Sequence, residues 1–272
     1  MSTLLTEMEL MQLEVAAGAL FVLNDSGGKD SQAMVIRVAR HVPREQLLVV
    51  HASLGEVEWK GALECAEDHA RIIGAPFIVA RAAKTFLDMV EHRFATRPEV
   101  PSFPSSEHRQ CTSDLKRNPI EREVRRYMKA HGFNRIVNCM GLRAAESPAR
   151  SKAKRWDKNK GQSKAGRSWF NWLPIHHLTT EEVFETIRDA GQQPHPAYAA
   201  GNARLSCVFC IMGSAGDARN GAVHNPDLYE RFVNTELRTG YTAHMSRQSL
   251  VQLTGLTVAQ ARAAHAAMGG AP

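Results

Sequence analysis

Two stretches have residue types and spacing that could do chemistry: Ser26-Gly27-Gly28-Lys29-Asp30-Ser31 and Cys207-Val208-Phe209-Cys210. The first gathers two glycines, two hydroxyls, an ammonium and a carboxylate into six positions. Such a set suits phosphate. Glycine lets the backbone approach an anion with no Cβ in the way, and a helix beginning there adds N–H donors and the positive end of its dipole. Ser26 and Ser31 add hydroxyl donors, and Lys29 a full positive charge. The second stretch sets two thiols three positions apart in a loop, a spacing that grips a metal or a cluster or serves as a redox pair. A third thiol, Cys111, follows Arg109 near the start of a helix, a setting that favours the thiolate. Arg143 is an always-charged fork matched to phosphate or sulfate.

The elements that must position these groups read as alternating strands and helices. The apolar run Leu20-Phe21-Val22-Leu23 leads into the glycine loop, and a helix follows over 31–40. A buried strand over 47–50 ends at His51-Ala52-Ser53-Leu54-Gly55. A helix over 59–73 closes at Gly74, a third strand covers 76–79, and a short helix covers 85–92. A loop with three prolines leads to Cys111 and a helix ending at His131, then a strand over 133–140 with Gly141-Leu142-Arg143-Ala144-Ala145-Glu146-Ser147 at its end. Ligands of open α/β sheets bind at the carboxyl ends of the strands, where the glycine loop, Ser53 and Gly141 to Ser147 all fall. Cys65 in its helix and Cys139 in its strand read as core. Thr179 and Glu182 have capping-box spacing for a helix to residue 190, and Asn225-Pro226-Asp227 starts one that Gly240 closes. Leu4, Leu5, Met8, Met11 and Leu13 suggest an amphipathic helix over 1–18. Between them lies a basic run over 150–167, with Arg150, Lys152, Lys154 and Arg155 in its first half and Asp157 as the single acid. It reads as a flexible loop, either solvated or clamping a polyanion.

With 272 residues, 43% of them hydrophobic, the chain can bury a full core. No apolar stretch is long enough to span a bilayer and no signal peptide is evident, which predicts a cytoplasmic protein without a membrane partner. Five cysteines do not make a disulfide framework. The net charge of +6 favours an anionic partner without distinguishing nucleotide from nucleic acid.

The glycine loop fits neither the Walker pattern, since Asp30 follows Lys29, nor Gly-x-Gly-x-x-Gly. It resembles the SGGxDS signature of the PP-loop ATP pyrophosphatases. The Cys111 segment, the G-x-R-x-x-E-S element over 141–147 and the C-x-x-C extend the resemblance over residues 19–240, to the phosphoadenosine-phosphosulfate (PAPS) reductase-like branch, nearest in character to DNA phosphorothioation and nucleic-acid thiolation enzymes. The resemblance implies an α/β fold of the adenine nucleotide alpha hydrolase-like kind: a doubly wound, mainly parallel sheet with a helical C-terminal part. The expected organisation is an N-terminal helix (1–18), a nucleotide-binding domain (19–200) and a C-terminal segment carrying the C-x-x-C (201–272).

The same resemblance implies that Ser26, Gly27, Gly28, Lys29, Asp30, Ser31, Ser53, Gly141 and Arg143 bind ATP with Mg²⁺, with Lys29, Asp30 and Arg143 catalytic. Ser53 stands where the family usually carries Asp. Glu146, Arg150, Lys152, Lys154 and Arg155 would hold an acceptor, DNA or RNA, and a sulfur-donor protein such as a cysteine desulfurase would be a partner. Cys111, Cys207 and Cys210 would hold a [4Fe–4S] cluster, with zinc as the alternative, completed by His108 or His224. The expected reaction is adenylation of the acceptor for sulfur transfer. The alternatives are a sulfonucleotide reductase, whose C-terminal-tail nucleophile finds no counterpart after Cys210, and a non-catalytic nucleotide- or nucleic-acid-binding module.

Overall fold

The computed structural model describes residues 5–269 and divides the chain into two compact units. The first unit comprises residues 5–52, 61–80 and 120–195 of the described chain. It is built on a six-stranded sheet in the order β3-β2-β1-β4-β6-β5, where β1 is Leu20–Asn24, β2 Leu47–Ser53, β3 Phe77–Arg81, β4 Arg135–Met140, β5 Trp156–Lys158 and β6 Ser168–Trp172. β1 runs parallel to β2 and β4, β4 runs parallel to β6, and β5 is antiparallel to its neighbour β6. The sheet is therefore mainly parallel and Rossmann-like, as the sequence leads one to expect.

Strand alternation explains why β1 is apolar throughout. Successive side chains point to opposite faces, and both faces are covered. Phe21 and Leu23 pack with Met34 and Val35 of α2 (Lys29–Ala39) and with Val183 and Ile187 of α8 (Thr180–Asp189). Leu20 and Val22 pack with Val124 and Met128 of α6 (Asn118–His131). The capping box of α8 is present: the Glu182 amide donates to Thr179 Oγ1 at 3.2 Å, and Glu182 Oε2 accepts the Thr179 amide at 2.7 Å. α3 (Ala62–Ile73) ends at Gly74 in the left-handed region, as its sequence predicts.

Two expectations change. The N-terminal helix, α1 (Glu7–Ala16), buries Met11 and Glu14, whereas Leu5, Met8 and Leu13 are exposed; Leu4 lies outside the described residues. Beside the apolar anchor Met11, a polar tie holds the helix: Arg135 donates to both carboxylate oxygens of Glu14, at 2.9 and 2.6 Å. The basic run over 150–167 is also not loop throughout. It starts in a one-turn helix, α7 (Pro148–Ser151), and then forms the edge strand β5 of a hairpin with β6. Lys158 on this edge strand helps keep it from pairing with another chain.

The second unit comprises residues 53–60, 81–119 and 196–269 of the described chain. It is helical: α4 (Phe86–Thr96), α5 (Gln110–Thr112), α9 (Ala215–His224), α10 (Pro226–Thr239), α11 (Leu250–Thr254) and α12 (Val258–Ala267). Phe86 stacks on Phe232 with centroids 5.6 Å apart. Tyr229, buried in the same core, donates its hydroxyl to the Leu256 carbonyl at 2.7 Å. Gly240, at φ 73°, terminates α10. Among the described residues no helix is long and apolar enough to cross a membrane.

Candidate functional site

β1 delivers the chain into Asp25 and the glycine loop, and α2 begins at Lys29 with Gly28 as its N-cap. Gly27 has φ 73°, and a Cβ built on it would lie 2.2 Å from the Ala62 carbonyl oxygen. Glycine is required here because the loop turns left-handed against the start of α3, more than to expose the backbone to an anion. Gly141 has a similar reason to be glycine, since its Cβ would stand 2.8 Å from the Asp30 carbonyl oxygen. The end of β4 thereby closes on the first turn of α2.

The charged groups of the loop converge on Asp30. Arg143 Nε donates to Asp30 Oδ1 at 2.6 Å, and Lys29 Nζ lies 3.0 Å from Asp30 Oδ2. Arg143 is only 4% exposed and Lys29 2%, and Lys29 Nζ also sits 6.0 Å from the Phe184 ring centroid. Both cations are therefore in contact with one carboxylate, and an incoming phosphate would compete with Asp30 for them. The Arg143 amide donates to Glu146 Oε2 at 2.9 Å, and Glu146 is ion-paired with Arg150. His176 anchors this corner by contacting the Arg150 carbonyl at 2.9 Å. Within the basic run, Arg155 pairs with Glu7 at 2.8 Å and Lys154 with Asp157 at 3.7 Å, while Lys152 is exposed. Ser53 ends β2 and accepts the Gly55 amide at 3.4 Å.

The hydroxyl of Ser31 turns inward, 2.8 Å from Asp25 Oδ1 and 2.9 Å from the Gly28 carbonyl, and it accepts the Ser26 amide at 3.2 Å. Ser31 thus braces the loop. Asp25, which sequence reading passed over, is 2% exposed and also accepts the Gly27 amide at 2.8 Å and His69 Nδ1 at 2.7 Å. Burial alone would raise its carboxyl pKa. The bond and charge of His69, with the Gly27 amide and the Ser31 hydroxyl, outweigh it and hold that pKa below the usual value. An acid directly after an all-apolar strand is a signal that sequence reading could have used; His69, a lone histidine on α3, gives none.

In the second unit, Cys111, Cys207 and Cys210 lie in one electrostatic neighbourhood. Lys116 belongs to it as well. Its ammonium is favoured, against burial, by Cys207 first and then by Cys210, Cys111 and Glu58. Cys207 pairs its backbone with Glu58 in an isolated bridge. Burial pushes the Cys207 thiol up to about 12, only partly opposed by Lys116, and pushes Cys111 up as well. This corrects the expectation of a favoured thiolate at Cys111: desolvation outweighs the nearby cation. In alkylation with iodoacetamide at pH 8, Cys207 should react much more slowly in the folded, metal-free protein than in denaturant, because only the thiolate attacks and burial disfavours it. Equal rates would contradict this environment. Cys139 is fully buried in β4, as expected of a core residue.

Three thiols are, in kind, the donors that iron–sulfur clusters and zinc use. Among the described residues, however, no group of three or more His, Cys, Asp or Glu side chains comes together to hold a metal ion. His224 packs on Trp59 at 6.2 Å, and His108 is exposed. The Lys116 ammonium shares the electrostatic neighbourhood of the three thiols.

A curated relative, an uncharacterised 37.8 kDa protein in the gpa 5′ region of Escherichia phage 186, is 26% identical over 239 residues, covering 72% of this chain and 68% of its own. Among solved structures, the PAPS reductase of Candida auris in its phosphate complex is 10% identical, with a TM-score of 0.47 over 75% of this chain and 88% of its own. The FMN adenylyltransferase of Candida glabrata, with FMN and the ATP analogue AMPCPP, is 10% identical, with a TM-score of 0.45 over 78% and 70%. The family model of the phosphoadenosine phosphosulfate reductase domain matches residues 21–212, from the strand that feeds the glycine loop to just beyond the C-x-x-C. The chain belongs to the PAPS reductase domain family.

Proposed function

We propose that this protein is an ATP pyrophosphatase that adenylates an acceptor so that sulfur can displace AMP. The observation that carries the proposal is the loop over 26–31: a left-handed Gly27, a helix starting at Gly28-Lys29, and two cations, Lys29 and Arg143, gathered on Asp30. A helix N-terminus beside buried cations is suited to a polyphosphate. In the proposed reaction the acceptor oxygen attacks the α-phosphorus of ATP, the bond to the bridging oxygen breaks, and pyrophosphate leaves with the electron pair. A sulfur nucleophile then replaces the adenylated oxygen, and AMP departs. Lys29 and Arg143 neutralise charge that develops on the phosphates. Mg²⁺ would arrive with the nucleotide and share that task, with Asp30 the carboxylate placed to meet it.

The proposed acceptor is a nucleic acid, DNA or RNA, on the ground of the net charge of +6 and the basic hairpin; a sulfur-donor protein would supply the sulfur. Cys111, Cys207 and Cys210 are proposed as the sulfur-handling groups, with no step routed through a cluster. Sulfonucleotide reduction is the second reading, favoured by the family to which the chain belongs. Incubation with Mg²⁺, α-labelled ATP, a nucleic-acid acceptor and sulfide as the sulfur source should release AMP and pyrophosphate; without sulfide, pyrophosphate should leave and the label stay on the acceptor. ADP with orthophosphate would sink the pyrophosphatase assignment, and sulfite release from PAPS in the presence of a thiol reductant, without ATP consumption, would favour the reductase.

A further inference from the structure

Asp25 is a side chain buried completely, directly before the phosphate loop, and the proposed chemistry makes no use of it. Its contacts are unusually complete. Oδ1 accepts the Gly27 amide, two residues on, in the manner of an Asx turn, and it meets the Ser31 hydroxyl; both distances are 2.8 Å. Oδ2 takes His69 Nδ1 at 2.7 Å, and His69 is itself 6% exposed. The backbone of Asp25 is fixed as well: its amide donates to the Val50 carbonyl at 3.0 Å, and its carbonyl faces His51 Nδ1 at 2.9 Å. A buried carboxylate is costly unless it is paired and hydrogen-bonded. This one is both, and each group it holds on Oδ1 belongs to the loop.

We propose that Asp25 and His69 are positioning residues for the phosphate loop, a buried carboxylate–imidazole pair that presets the arc of residues 26–31 for a polyphosphate. The inference rests on the nucleotide reading above. Gly27 sits in a left-handed conformation, with φ 73°, in the middle of the loop, and Asp25 holds its amide there. Drawing that amide and the Ser31 hydroxyl down onto Asp25 leaves the start of α2 to meet the ligand in one conformation, without ordering at the moment of binding. His69 comes from α3, the helix whose Ala62 carbonyl blocks a Cβ at Gly27. One helix therefore supports the loop twice, by steric contact at its first turn and through the charge on Asp25 two turns later. Asp25 needs His69: without it, Oδ2 would be an ionised oxygen buried without a donor.

The experiment uses two probes with the full chain, the Mg²⁺ complex of inorganic pyrophosphate and AMP, titrated calorimetrically. His69→Ala and Asp25→Asn should each weaken pyrophosphate binding by about tenfold or more, the scale of one charge-assisted hydrogen bond, and leave AMP affinity within about twofold. His69→Asn, whose amide can reach Oδ2 from a similar distance, should restore most of the pyrophosphate affinity. Should Asp25→Asn fail to fold, the His69 pair of variants decides the matter. Equal losses for both probes, or no rescue by His69→Asn, would overturn a positioning role in favour of a merely structural one. Variants that bind pyrophosphate like the wild type would overturn it outright. Wild-type protein that binds neither probe would overturn the nucleotide reading, and the inference with it.

Discussion

Gly27→Ala should destabilise the protein by about 1–3 kcal/mol more than Gly132→Ala. Both glycines have positive φ, 73° and 76°. Left-handed backbone costs an L-residue about 1–2 kcal/mol, and this is the whole expectation at Gly132, where an added Cβ meets nothing within 4 Å. At Gly27 the same methyl would lie 2.2 Å from a backbone carbonyl oxygen, which no rotamer change can relieve. The start of α3 must shift, and such overpacking adds about 1–3 kcal/mol. Because α3 also carries His69, the displacement should reach the loop and abolish nucleotide binding. Urea unfolding of the two variants tests the difference; equal losses of stability would mean that the approach of α3 to the loop is slack.

Arg143→Met should be the other severe change. It removes the 2.6 Å contact with Asp30 and leaves that half-buried carboxylate to Lys29 alone. Breaking a largely buried pair by deleting one partner costs about 3 kcal/mol, whereas removing both partners costs much less. Asp30→Asn combined with Arg143→Met should therefore be more stable than Arg143→Met alone, a coupling that urea midpoints measure directly. Nucleotide binding should fall by about tenfold to a hundredfold in Arg143→Met. Arg143→Lys should recover only part of it, since an ammonium cannot keep the geometry of the fork. A double variant less stable than the single would show that Asp30 and Arg143 do not stabilise each other.

Much of the fold was legible because its signals are local. The apolar run 20–23, the glycine pair and the helix after it specify strand, turn and helix in one stretch, and the Thr179–Glu182 capping box lies where spacing puts it. The convergence of Arg143 on the loop follows from β4 lying beside β1, which is how the carboxyl ends of adjacent parallel strands meet. What escaped the sequence was decided by distant partners. Charge density suggested a flexible loop at 150–167, but Trp156 pairs with Trp172 in a strand register no local pattern encodes. The leucines of α1 suggested its buried face, yet Glu14 turns inward because Arg135, far along the chain, is there to meet it. Cys111 looked activated beside Arg109; burial, which spacing does not reveal, reverses the sign. His69 could not be singled out because its role depends on Asp25, 44 residues earlier.

A crystal structure with α,β-methylene-ATP and Mg²⁺ tests the nucleotide site most directly, since the analogue cannot be cleaved between its α- and β-phosphates. The β- and γ-phosphates are expected at the loop over 26–31 and the first turn of α2, with Lys29 and Arg143 turned from Asp30 toward them and Asp25 still bonded to Gly27, Ser31 and His69. A nucleotide bound elsewhere, with Asp30 still holding both cations, would contradict the assignment of this loop as the site of ATP chemistry.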